Sequence, residues 1–273
     1  MAERFAAETK NHHMFVVHDD GLYRHLQFRN ARYCNDGEWR VNTGFYWFDL
    51  ITWPGTLVIN GDCGTFTFSR VTDMFEFFRD HRVNPQYWAE KVQGETRVKS
   101  YNEDEFRRLV TEEFVEAVRH GTYGTVPKGL GKAVRAEILN NGDIHYEAGA
   151  RAALDAFVTF TADCSCGYHR EGLGADAALD WRIEHRTLPG EHHPVTDSQN
   201  GFRFTDTWEW DLTDWDWTFL WCLHAIVWGI ARYDGEEAPA FEPDPVRTTP
   251  VSAVITLRSA PRTATMATTG GVL

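Results

Sequence analysis

The chain has 273 residues, 42% hydrophobic and 25% charged, with a formal net charge of −13. That length can bury a substantial core, and the composition is ordinary for a globular protein. The acidic balance disfavours a protein that grips nucleic acid through its overall field, because phosphates are held mainly by Lys and Arg.

The first segment, residues 1–11, reads as a flexible N-terminus. MAERFAAETKNHH has no apolar stretch of signal-peptide length. From Met14 to Arg70 the apolar residues mostly repeat every second position. MFVVHDDGLYRHLQFRN predicts two strands around Asp20-Gly21, and FYWFDLITW and TLVINGDCGTFTFS predict more, broken at Trp53-Pro54-Gly55 and Asn60-Gly61. Phe66 and Phe68 then share one face, with Thr65 and Thr67 on the other. The period next becomes helical. Thr72 is the expected N-cap of VTDMFEFFRDH, Asn84-Pro85 opens a short helix, and Asn102 caps EDEFRRLVTEEFVEAVRHG, whose charges suit the helix dipole. Further helices are expected over 128–140 and 143–160. Residues 163–200 are polar and rich in Gly and His and read as a loop-rich insertion. Residues 235–273, dominated by Pro, Thr, Ala and Ser, read as a disordered tail. One domain is expected over 12–234.

Six of the eleven tryptophans lie in WEWDLTDWDWTFLWCLHAIVWGIARYD, residues 208–234. Asp211, Asp214 and Asp216 crowd its start, and the apolar part from Trp217 to Ile230 is too short to cross a bilayer. It is apolar around its whole circumference, which marks a helix buried on all sides. A base-stacking platform would want interleaved Lys or Arg, and here the interleaved charges are acidic. The expected fold is therefore α+β: an N-terminal antiparallel sheet packed against several helices, including a buried Trp-rich C-terminal helix.

HDDGLYRHLQFRN, YWFDLITWPGTLVINGDCGTFTFSRVTDMFEFF, VNPQYW, and FRFTDTWEWDL followed by FLWCLHAIVWGIARYD together resemble a family of proteins encoded by bacteriophages and prophages, actinobacterial ones included. The likeness covers most of residues 12–234. It departs at 31–43, which is longer than a Pro-Gly turn needs, and around 163–195, which is extra. The resemblance implies a phage origin, hence a host bacterial cytoplasm, and carries no catalytic residue with it.

Four residue sets could carry chemistry. Cys164, Cys166 and His169, with His185, His192 and His193 further on, offer thiolates and imidazoles that suit zinc, although Cys-x-Cys is not the usual structural spacing. The alternative is a surface insertion without metal. Five sparse cysteines (34, 63, 164, 166 and 222) do not form a disulfide framework, which fits a reducing compartment. Cys63, between Gly61 and Gly64, could be a nucleophile if a base lowered its pKa; a hairpin turn explains the same residues. His18 and His25 could act as acid and base, since imidazole titrates near neutrality, or could be exposed hairpin residues. Trp47, Asp49, Trp53, Asp62 and Arg70 could line one end of the sheet as an aromatic ligand pocket, or could pack between sheet and helices.

The leading expectation is a phage accessory protein that binds a host protein or a small nucleotide-like ligand, in host takeover or counter-defence. The alternative is a zinc- or cysteine-dependent hydrolase acting on nucleotides or nucleic acid. A third reading is an acidic surface that occupies a basic, nucleic-acid-binding partner.

Overall fold

The computed structural model describes residues 1–41, 44–79, 82–120, 129–198 and 202–236. Its largest sheet is antiparallel, built from β1 (His12–Asp20), β2 (Tyr23–Tyr33), β3 (Trp39–Val41), β4 (Phe48–Trp53), β5 (Thr56–Gly61) and β6 (Gly64–Ser69). The order is β1-β2-β4-β5-β6, with β3 continuing along the far end of β2. Register explains the alternation in the sequence. Leu26, Leu50, Ile59 and Phe66 stand opposite one another, as do Arg24, Thr52, Leu57 and Phe68, so one face is buried. The other face, carrying His25, Gln27, Asp49, Ile51, Val58, Thr65 and Thr67, is more open to solvent, as one-sided antiparallel sheets are.

The inner face packs on the Trp-rich helix. After α1 to α7, described below, this helix is α8 (Trp217–Tyr233), started by Asp216, whose carboxylate accepts the Thr218 amide at 2.8 Å. Nearly every residue from Phe219 to Ala231 is buried. Close approach is possible because Gly229 has no side chain: a Cβ there would lie 2.7 Å from Leu50 Cδ1 and 3.0 Å from Phe28 Cζ.

Other elements cover the rest of the helix. The N-terminal segment, expected to be flexible over 1–11, forms α1 (Ala2–Glu8). Phe5 is fully buried, 5.2 Å from Trp221 in an edge-on contact, and Glu8 accepts the Trp221 indole N–H at 2.8 Å. A single apolar anchor in a short segment gives no periodicity to read. Helix α2 (Met74–Phe78) brings Phe75 and Phe78 against the same core, and α3 (Pro85–Ala89), capped by Asn84, adds Trp88. The α2 cap is Asp73, not the expected Thr72. The Asp73 carboxylate accepts the Phe75 amide and is forked by Arg24 at 3.0 Å, so it is fixed from both sides.

A second cluster of buried side chains lies among the following helices. Strand β7 (Lys99–Tyr101) leads into α4 (Glu103–His120), capped by Asn102 as expected. The expected helix over 128–140 is α5 (Leu130–Ala133) running into a π-helical turn, Val134–Leu139; that over 143–160 is the shorter α6 (Glu147–Ala156). Phe106, Val110, Ile138, Ala150 and Leu154 pack together there.

Residues 163–200, expected to be loop-rich, hold regular structure. Strands β8 (Phe160–Cys164) and β9 (His169–Leu173) form a hairpin, α7 (Ala175–Arg186) follows, and β10 (Pro194–Asp197) pairs with the open side of β8. Among the described residues only Ala162, Cys164, Ala178 and Trp181 are buried there as a cluster, with Phe160 beside them. So small a core leaves little apolar pattern in the sequence. The chain then returns through β11 (Thr213–Trp215), paired with β7, into α8. The tail expected over 235–273 lies, from residue 237, outside the described residues.

Candidate metal centre

The β8–β9 hairpin closes in a tight turn. The Gly167 amide donates to the Cys164 carbonyl and the Cys164 amide to the Tyr168 carbonyl, each at 2.9 Å. Gly167 has φ of 87°, a conformation that glycine adopts without strain. The turn carries Cys164 and Cys166. Opposite it, α7 presents Ala178, Trp181 and His185 at helical spacing toward the small sheet, all three buried. His185 stacks on Trp181, with centroids 4.8 Å apart and planes 20° from parallel, and Tyr168 stacks on the same indole. The loop after α7 brings back His192.

One donor atom from each of Cys164, Cys166, His185 and His192 lies within 4.8 Å of all the others, so the cluster could hold a metal ion. Cys166 Sγ is 3.3 Å from His185 Nε2, and Cys164 Sγ is 3.7 Å from His192 Nδ1. A tetrahedral zinc with ordinary Zn–S and Zn–N arms has edges of roughly 3.3–3.8 Å, so these gaps suit one ion shared among them. His192 also turns Nε2 toward the Pro189 carbonyl at 3.2 Å. A histidine ligand normally donates its second ring N–H to such an acceptor, which fixes the tautomer and leaves the other nitrogen free to coordinate.

The local electrostatics favour the thiolate that a metal requires. Burial raises the Cys164 thiol, but hydrogen bonds from the Cys166 backbone, His192, the Cys166 side chain and Ser165 outweigh it and lower the group to about 6. His192 is raised in turn, chiefly by its bond to Cys164.

The structure keeps Cys164 and Cys166 from the sequence-derived set and replaces His169. That side chain sits on β9 opposite Asp163 and pairs with its carboxylate at 2.7 Å. His185 and His192 complete the cluster instead. They lie far from the cysteines in sequence, and only the fold of α7 onto the hairpin brings them in. His193 joins the turn through its backbone, donating to Ser165 Oγ at 3.1 Å.

The other sets separate. Cys63 is buried in the β5–β6 turn, where burial first, then Asp62 and Glu8, push its thiol up to about 12. That is the opposite of an activated nucleophile. The five pocket residues do not meet at one end of the sheet. Trp47 and Asp62 lie beside the Phe48–Gly61 pair, whereas Trp53 and Arg70 adjoin the Thr56–Ser69 pair at the other end. Five residues of strand separate Phe48 from Trp53, roughly 17 Å. Asp62 is spent locally, accepting the Tyr46 amide at 2.9 Å. Asp49 lies between the ends and is held by His25 at 2.8 Å, Gln27 at 3.4 Å and Arg29 at 2.5 Å, while Arg29 also stacks on Trp47. His18 stands opposite His25 because a bulge between Val16 and His18 shifts the register.

Among the described residues no helix is long and apolar enough to cross a membrane. Comparison of the chain with protein-family models, with curated proteins and with solved structures gives no match.

Proposed function

We propose that the protein acts by binding another protein of its host cell, and that Cys164, Cys166, His185 and His192 hold a structural zinc ion that stiffens the β8–β9–α7–β10 unit. The observation that supports the zinc staple is the convergence of two cysteine and two histidine donors. Sulfur and imidazole ligands suit zinc, and four protein donors fill a tetrahedron, leaving no open position for a reactive water. This arrangement favours a staple over the zinc-dependent hydrolase. Cys63, the other route to hydrolysis, is buried and held as a thiol. The phage origin is what the family resemblance implies, and the host-protein partner, the accessory role and the cytoplasmic setting are proposed with it. A small nucleotide-like ligand is the alternative occupant.

The experiment is capture of partners from infected cells with the zinc-loaded full chain and with the Cys164→Ser, Cys166→Ser double variant. The reading expects a partner that is reproducibly retained by the first and lost or weakened with the second. Nucleotide or nucleic-acid hydrolysis by the zinc-loaded chain, abolished in the double variant, would replace binding by catalysis.

A further inference from the structure

The outer face of the six-stranded sheet has a shallow, open depression at the end where the β1–β2 and β4–β5 turns meet. Its outward-facing lining is His18, Tyr23, His25, Ile51 and Trp53. Tyr23 and Trp53 follow the last β2–β4 pair, Arg24–Thr52, and so stand side by side on this face; they are 54% and 42% exposed. Asp20 lies opposite Tyr23 across β1–β2 and shares its face at the rim.

The charges around this depression are unequal in availability. Arg24 is turned to the inner side, where both guanidinium ends are taken by Asp73, and Arg29 is taken by Asp49. Asp19 accepts the Tyr233 hydroxyl. Asp20 is exposed and makes no ion pair among the described residues. His25, by contrast, is engaged, its Nε2 lying 2.8 Å from the Asp49 carboxylate. The place therefore combines two exposed aromatic faces with one exposed carboxylate, Asp20, at its rim, in a chain of formal charge −13.

Resting on the binding reading above, we propose that this depression receives an arginine side chain of the partner protein. A guanidinium is planar, carries five N–H donors and no acceptor, and stacks on indole and phenol faces. It matches what the depression offers: ring faces from Tyr23 and Trp53 and a carboxylate from Asp20 at the rim. A nucleotide fits the rings but brings its phosphates toward the Asp20 carboxylate, which favours the cation.

The test is a titration of the isotopically labelled full chain with the capped peptide acetyl-Gly-Arg-Gly-amide, following the Trp53 indole N–H by NMR. The citrulline counterpart, isosteric but uncharged, and adenosine monophosphate are titrated in parallel. The arginine peptide should shift the Trp53 signal saturably, and citrulline should bind at least about fivefold more weakly. Asp20→Asn and Trp53→Ala, the latter followed at neighbouring backbone amides, should each weaken arginine binding by about fivefold or more. Both positions are exposed, and a dispersed spectrum verifies that each variant is folded. Equal binding of citrulline, no saturable shift with arginine, or a Trp53 shift with the nucleotide alone would overturn the assignment. If host-protein capture persists while the arginine peptide fails, only this pocket assignment is lost and the binding role stands.

Discussion

Cys164 and His169 show how little a residue type says before its neighbours are known. Both belong to one polar run and both are ligand types, yet Cys164 meets His192 while His169 turns to Asp163. Two substitutions separate these roles. Cys164→Ser should abolish stoichiometric zinc in the purified chain, whereas His169→Ala should leave it unchanged, as read by metal analysis. Asp73 makes a different prediction. Burial alone would raise its carboxyl, but the Arg24 fork and the Phe75 amide outweigh that and hold it below the usual carboxylate range. A carboxyl lowered in the folded state stabilises above its unfolded value, near 3.9 on model peptides, and loses that contribution as pH falls through the folded value. The urea midpoint of the native chain should therefore fall more steeply between pH 5 and pH 2 than that of Asp73→Asn. At neutral pH the same substitution should cost about 1–3 kcal/mol, since it removes the charge-assisted pair with Arg24 while the Asn amide oxygen still caps the helix.

At the scale of elements, α8 and the large sheet were legible because each repeats a pattern many times. Alternation at Leu26, Phe28, Leu50, Leu57, Ile59, Phe66 and Phe68 places one face inward, and the unbroken apolar run from Phe219 onward can only be an interior helix. Gly229 marks where they touch. Gly229→Leu should destabilise the chain by about 1–3 kcal/mol in urea unfolding, because the added side chain has no room between α8 and the Leu50 and Phe28 side chains. Helix α1 was not legible, since Phe5 alone commits it to the core. Its weight can nevertheless be measured: Phe5→Ala removes a fully buried ring against Trp221 and should cost about 3–5 kcal/mol. The β8–β9–α7–β10 unit was illegible for the opposite reason. Its strands and helix are held by few apolar contacts, and donors nineteen or more positions beyond Cys166 converge only in three dimensions.

Across the whole molecule the buried side chains are unevenly shared. Among the described residues four make the core of the small unit, against twenty-three in the cluster between the large sheet and α8. So few buried contacts give a unit of this size little stability of its own, and small units commonly rely on a metal. Zinc held by the Cys and His donors would then supply folding free energy locally, and its removal would act locally too. The proposed staple would hold one part of the protein without governing the rest, and the large sheet would remain folded when zinc is withdrawn. The most direct measurement is zinc-edge X-ray absorption on the purified full-length chain, combined with amide hydrogen exchange before and after chelation. The account predicts one tightly held zinc with two sulfur neighbours at about 2.3 Å and two nitrogen neighbours at about 2.0–2.1 Å. It also predicts that chelation releases protection over residues 160–197 while α8 and the large sheet keep theirs. A chain that binds no zinc at stoichiometric level, or one whose small unit keeps full protection after the metal is stripped, would contradict it.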